Sequence, residues 1–412
     1  MIRKFFLTAS ALAVISYAQA QTNPLKIAMI EALTGPSAQT GIGMTEGMRY
    51  GIQKINDAGG FNGAKVQLLE YDNQGGPTGA ADKLKVAIAD GARIVSSASS
   101  SAVAAQLTED VRKYNLRNPG KEIVYINVGS EAYELTAEKC QFWFFRMGTN
   151  PYVRMNALVP VMKKAGVLGD KVYSINQNYS YGHDHEKAQA AAVTKAGSKI
   201  VESVLHDTNK IQDFSPYISK IKASGAQTVL TGNWANDIML LMKATGDAGL
   251  KVRFGTTSLD TPGTLSNAGP SALGAYMVKI FTMDAGGEKG KAFVEDFKRQ
   301  IGHYPASDEP TPAFAMMYLG AALKTIDFKG GPIDAKAIAF AIENTSWESP
   351  TGTWSMRKND HQALVPVTVS EVSKNVAYKV DGTDMGFRLL ETVSARDAAT
   401  PVSQACKMDR PA

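Results

Sequence analysis

The chain has 412 residues and two cysteines, too long for one hydrophobic core and sized for two or three domains. Hydrophobic residues make up 44% and charged residues 20%, with 37 Gly and 17 Pro, which excludes a disordered, collagen-like or disulfide-rich chain. Lys plus Arg number 44 against 39 for Asp plus Glu, and they are scattered, so no basic block offers a nucleic-acid footprint.

The first twenty residues read as a secretory signal. Arg3 and Lys4 precede an apolar run from Phe5 to Ile15, and Ala18-Gln19-Ala20 supplies a small-x-small cleavage pattern. The run is shorter than the roughly 20 apolar residues that span a bilayer. No cysteine follows the cut, so no lipid anchor is expected there, and the chain is expected to be exported. In an oxidising space Cys140 and Cys406 are expected to form a bridge, with two separate buried thiols as the alternative.

From Leu25 two periods alternate. Leu25–Ile30 is a short apolar run, and Met44, Met48, Ile52 and Ile55 then recur as on one helix face. Val66–Tyr71, Arg93–Ala98 and Ile123–Val128 read as strands with helices between them. After Asn150-Pro151 the rhythm restarts, with strands at Val172–Asn176, Ile200–Leu205, Thr228–Thr231 and Arg253–Thr257. Such repetition predicts parallel sheets covered by helices on both faces, in two similar lobes. Beyond Tyr276–Phe281 the pattern is mainly helical to about Asn344. Two strand-like runs follow, Thr353–Arg357 and Leu364–Val372.

Catalytic and cofactor motifs are missing. No phosphate-binding GxxxxGK[ST] loop and no GxSxG nucleophile elbow occurs. Gly41, Gly43 and Gly47 have the wrong spacing for a dinucleotide fingerprint and are read as admitting close backbone approach. In His183-Asp184-His185-Glu186 the two histidines would point about 200° apart on a helix, so a solvated helix start is expected rather than a metal site. The expectation is therefore a non-enzyme with no metal and no cofactor.

The distinctive stretch is Ser96-Ser97-Ala98-Ser99-Ser100-Ser101, placed where a strand ends and a helix begins. In an open parallel sheet this is the usual ligand crevice, and the free N–H groups of a helix start suit a carboxylate; a serine-rich helix cap is the alternative reading of the cluster alone. Gly129-Ser130-Glu131 repeats the location after the next strand.

Leu33-Thr34-Gly35-Pro36, then Asn56-Asp57-Ala58-Gly59-Gly60-Phe61-Asn62-Gly63, Tyr71-Asp72-Asn73-Gln74 and the Ser99–Ser101 cluster resemble the leucine/isoleucine/valine-binding proteins of bacterial ABC importers. The similarity continues through Glu134-Leu135-Thr136, Tyr181-Gly182 and Asp213-Phe214-Ser215, covering nearly all the chain after the signal. The resemblance implies a type I periplasmic binding fold: two doubly wound α/β lobes joined by three crossover segments. The expected division is residues 21–146 plus 281–345 for the first lobe and 147–280 plus 346–412 for the second.

Carried over by position, Ser99 and Ser100 would hold a ligand carboxylate, with Ser130 and Glu131 lining the same lobe. Tyr181 and Asn233-Trp234 would close from the other. The acid that meets the ammonium in amino-acid binders is out of register here: Asp260 lies about three residues late, and the aromatic often found near Thr40 is absent. Either Asp260 or Glu131 supplies that charge, or the ligand has no ammonium. The implied function is a monomeric receptor that hands a small carboxylate-bearing solute, by family default a branched-chain or related amino acid, to an inner-membrane permease. An aromatic or aliphatic acid or an amide, with Trp234, Tyr181 and Tyr179 as walls, is the alternative ligand. A sensory module on the same fold is the alternative role.

Overall fold

The computed structural model describes residues 24–328 and 332–411, so the expected signal lies outside the described residues. The first run comprises β1 (Lys26–Glu31), α1 (Ala38–Asp57), β2 (Gln67–Asp72), α2 (Pro77–Ala89), β3 (Ile94–Ser97), α3 (Ser101–Arg117), β4 (Val124–Asn127) and β5 (Phe144–Arg146). The second comprises α4 (Pro151–Lys164), β6 (Lys171–Gln177), α5 (Ser180–Lys195), β7 (Lys199–His206), α6 (Ser215–Ser224), β8 (Thr228–Thr231), α7 (Asn236–Asp247), β9 (Arg253–Thr256), α8 (Thr264–Ala268) and β10 (Tyr276–Lys279). Then come α9 (Gly287–Ile301), α10 (Pro310–Leu323) and α11 (Ala335–Asn344). The chain finishes with β11 (Ser346–Ser349), β12 (Gly352–Arg357), β13 (Gln362–Leu364), β14 (Val367–Ser373), β15 (Gly386–Val393) and α12 (Ala395–Ala398).

Two sheets result. Their strand orders are β11-β12-β13-β5-β4-β3-β1-β2 and β15-β14-β10-β9-β8-β6-β7. Each is parallel through its middle and carries antiparallel strands at one edge. Strands buried on both faces need helices on both, which is why β1, β3 and β4 read as apolar runs. In the first lobe Met44, Met48, Ile52 and Ile55 of α1 pack with α9, α10 and α11 on one face, while Leu84, Val103, Leu107 and Val111 of α2 and α3 cover the other. In the second lobe α4 and α5 take one face and α6, α7 and α8 the other. This is the doubly wound, two-lobed architecture expected.

The glycines of α1 serve packing. A Cβ on Gly47 would lie 2.1 Å from the Glu309 carbonyl oxygen, and one on Gly51 would lie 2.6 Å from that of Ala313. The helix therefore rests against α10 nearly backbone to backbone.

The chain crosses between lobes after β5, after β10 and after β13. Side chains tie these crossings together: Arg146 Nε donates to Gln362 Oε1 at 2.7 Å, Gln362 Nε2 donates to the Gly148 carbonyl at 2.7 Å, and the Thr282 and Thr368 hydroxyls meet at 2.9 Å. The third crossing corrects the expected boundary. Residues 346–364 are hydrogen-bonded into the first sheet, so of the segment 346–412 only β14, β15 and α12 pack in the second lobe. The run Leu364–Val372 is not one strand but the end of β13 and most of β14, parted at Val365-Pro366, where proline has no N–H for a ladder.

Past α12 the tail returns to the first lobe. Cys406 is bonded to Cys140, with Cα atoms 5.4 Å apart and a sequence separation of 266. Arg410 Nη2 grips both oxygens of Glu343 at 2.6 Å. Replacing both cysteines by serine is expected to cost about 2–5 kcal/mol of folding stability. Urea denaturation reads this directly, and an unshifted midpoint would mean that the bridge adds nothing to the ion pair.

Candidate functional site

The turn just before α3, where a ligand carboxylate is expected, already holds a carboxylate of the protein's own. β1 ends on Glu31, which is almost wholly buried. Its Oε2 accepts from the N–H groups of Ala98 (2.7 Å) and Ser99 (3.0 Å), its Oε1 accepts from Ala32 N–H (2.8 Å), and the Ser99 hydroxyl donates to Oε1. Ser99 is thus spent on the protein's own carboxylate. Ser100 caps α3, accepting from Val103 N–H at 3.4 Å, and does not line the cleft.

The cleft lies between the lobes and encloses about 490 Å³, counting space open to solvent. Thr40, Met44, Ser99, Ser101, Gly129, Ser130, Glu131, Ser307 and Asp308 line it from the first lobe. The second lobe contributes Arg154, Tyr179, Tyr181, Trp234, Ala235, Ser258 and Thr261. Of the residues singled out in the sequence, Ser99, Ser130, Glu131, Tyr181 and Trp234 come together here. Ser100, Asn233 and Asp260 do not. Asn233 is fully buried, with its Oδ1 facing His206 Nε2 at 3.1 Å. Asp260 sits beside Lys279 and lines an adjoining, mostly apolar cavity.

The second lobe presents an aromatic wall. Trp234 Nε1 donates to the Tyr179 hydroxyl at 2.8 Å, and the Tyr181 ring packs 5.8 Å from that of Tyr179. Tyr181 is held by edge contact with His185, 4.5 Å between centroids, and its hydroxyl lies 3.3 Å from that of Thr257. Gly182 makes this turn feasible, because a Cβ there would fall 1.7 Å from the Gln177 carbonyl oxygen. The expected solvated helix start is only partly so. His185 is buried with neither ring nitrogen hydrogen-bonded, and burial pushes its pKa down to about 3. Asp184 accepts from Tyr133 N–H across the lobes at 2.7 Å.

Electrostatics dominate the back of the cleft. Arg154 of α4 grips Glu131, its Nε lying 2.8 and 2.9 Å from the two carboxylate oxygens and its Nη2 2.6 Å from Oε1. Thr149 adds a hydroxyl to the same carboxylate at 2.5 Å, and Arg154 Nη1 donates to the Val278 carbonyl at 2.8 Å. Lys279, at the end of β10, reaches Asp308 at 2.8 Å and Asp260 at 3.1 Å. Arg154 is also 3.7 Å from Asp308. Burial alone would lower the Arg154 guanidinium, but Glu131 and Asp308 outweigh it and raise it. Burial opposes ionisation of Asp308, yet Lys279 and Arg154 hold it below the usual carboxylate range. Burial pushes Asp260 up to about 6, Lys279 only partly offsetting it. Two cations here face three carboxylates.

Arg154, Lys279, Asp308 and Glu31 were not singled out in the sequence. Arg154 sits in an apolar helix and Lys279 at a strand end, and no spacing links either to its partner. Only the fold brings them together.

A family model described as "Periplasmic binding protein" matches residues 24–377. A Brucella melitensis protein named Leu/Ile/Val-binding protein homolog 4 is 50% identical over 100% of both chains. A Pseudomonas aeruginosa leucine-, isoleucine-, valine-, threonine- and alanine-binding protein is 28% identical, covering 87% of this chain and 92% of its own. A crystal structure of the protein of that same name from Brucella ovis, in a closed conformation, superposes with a TM-score of 0.91 at 51% identity, covering 95% of this chain and 100% of its own. A solute-binding protein from R. palustris in complex with benzoate shares the fold, with a TM-score of 0.77, at 19% identity and with 93% and 99% of the two chains covered.

The buried pair yields a test of how the lobes meet. Arg154→Met leaves the Glu131 carboxylate without its counter-charge wherever the lobes stay in contact, so the variant is expected to favour parted lobes, an effect mostly reversed in Arg154→Met/Glu131→Gln. Small-angle scattering of both variants measures this, and a single variant as compact as the parent would contradict the assignment.

Proposed function

The chain belongs to the periplasmic binding protein family, and on that premise we propose that its cleft captures an α-amino acid with a small apolar side chain for delivery to an inner-membrane ABC permease. Family and relatives are solute receptors, not enzymes. The observation that carries the choice of ligand is the charge of the cleft: Arg154 and Lys279 against Glu131, Asp308 and Asp260. One negative charge is left over, and a ligand ammonium beside Asp308 and Glu131 offsets it.

The ligand carboxylate then lies at the start of α3. There Ser101 accepts from Ala132 N–H at 3.2 Å and keeps its own hydroxyl proton to give. Met44, Trp234 and Tyr179 surround an apolar side chain. The named relatives of this chain support an aliphatic amino acid. A simple aromatic acid would find the aromatic wall, but it would bring a second negative charge and no positive one.

Titration calorimetry against leucine, isoleucine, valine, threonine, alanine and benzoate tests this. Amino acids are expected to bind and benzoate is not, and the reverse order would overturn the reading. Asp308→Asn is expected to weaken amino-acid binding about tenfold or more, equal to about 1.4 kcal/mol.

Acidity gives a second test. Above about pH 6 Asp260 is ionised and the cluster keeps its excess negative charge; below it that charge is lost. Amino-acid affinity is therefore expected to rise between about pH 5 and about pH 7, and Asp260→Asn is expected to flatten the profile. An unchanged slope in the variant would remove Asp260 from the account.

A further inference from the structure

Three residues, one of them more than 250 positions from the other two, converge on one point of the first lobe, outside the cleft lining. Glu46 comes from α1, His303 from the loop after α9, and Glu309 immediately precedes α10. One potential ligand atom from each lies within 4.8 Å of the others.

The imidazole geometry constrains the chemistry. His303 Nδ1 is 2.9 Å from the Tyr304 carbonyl, which can only accept, so Nδ1 carries the hydrogen. In the neutral ring Nε2 is then a lone pair, and it faces Glu46 Oε2, itself a lone-pair donor, at 3.4 Å. Glu309, with only 8% of its side chain exposed, brings Oε2 to 3.9 Å from His303 Nδ1. That oxygen accepts from Ala306 N–H at 2.9 Å. Among the described residues no lysine or arginine forms an ion pair with Glu46 or Glu309. The Glu46 carboxylate and the imidazole lone pair thus repel one another unless a proton or a metal ion lies between them, and the Glu309 carboxylate adds a second negative charge close by. A backbone carbonyl on the far imidazole nitrogen is also the arrangement that orients metal-bound histidines.

We infer that Glu46, His303 and Glu309 form a binding site for a divalent cation. One nitrogen and carboxylate oxygens favour a borderline ion of the zinc class over magnesium or calcium. Ser307 and Asp308, which line the solute cleft, directly precede Glu309, so the ion would pin the loop that presents them. The site does not depend on which solute the cleft takes.

The probe is zinc itself. Mature protein freed of any affinity tag and stripped with chelator, titrated with zinc by calorimetry at neutral pH, is expected to bind one equivalent. His303→Ala and Glu46→Gln are each expected to weaken that binding at least about tenfold with unchanged circular dichroism, whereas His183→Ala, at another partly exposed histidine, leaves it intact. No saturable uptake, or binding that survives both His303→Ala and Glu46→Gln, would overturn the proposal, since a proton shared by His303 and Glu46 would then suffice.

Discussion

The contact between the lobes rests on two basic side chains of one lobe holding two carboxylates of the other. Arg154 takes Glu131 and Lys279 takes Asp308. Both pairs are largely buried, so each gains strong attraction and loses hydration in comparable amounts. Opening the lobes would return all four groups to water. The pairs therefore fix register and orientation more than they favour closure. A hinge with no strong preference of its own can be tipped by a ligand that touches both lobes, because only differential affinity shifts such an equilibrium.

Glu31 has a comparable role within one lobe. A helix start at a strand end offers unpaired N–H groups, and an empty crevice there would attract any anion. With a carboxylate from β1 on the Ala98 and Ser99 N–H groups, the β3–α3 turn is fixed, and the donors left at the start of α3 begin at Ser101. The serine run located this donor-rich loop but could not show that Glu31 shares it. Serine spacing marks a donor-rich turn, whereas the acid that satisfies it lies 68 positions away.

Local periodicity was sufficient for much of the fold. The stripe of α1 packs as its spacing required, and Thr228–Thr231 is a strand at the limits expected. What failed was non-local. β5 has three residues and β11 four, too few to show a period, and sheet membership depends on partners rather than on composition. The alternating run after Leu364 satisfies strand patterning on both sides of Pro366 yet belongs to two sheets. For the site, aromatic and hydroxyl residues at strand ends were legible because type and place suffice. The charged residues were not, because their meaning is their pairing.

The C-terminal tail raises the question of how two lobes proposed to hinge would tolerate a covalent strap. α12 packs on α4 in the second lobe, while Cys406 is bonded to Cys140 in the first. The strap passes close to the crossings: Arg357 donates to the Thr400 carbonyl and holds Asp360, two residues before the Gln362 that ties Arg146 to Gly148. A tether that runs beside a rotation axis changes length little as the lobes turn. The seven residues between α12 and Cys406 contain no helix or strand, so they have slack to follow. The strap can thus restrict the unfolded chain without opposing closure, which a bridge across the mouth of the cleft could not do.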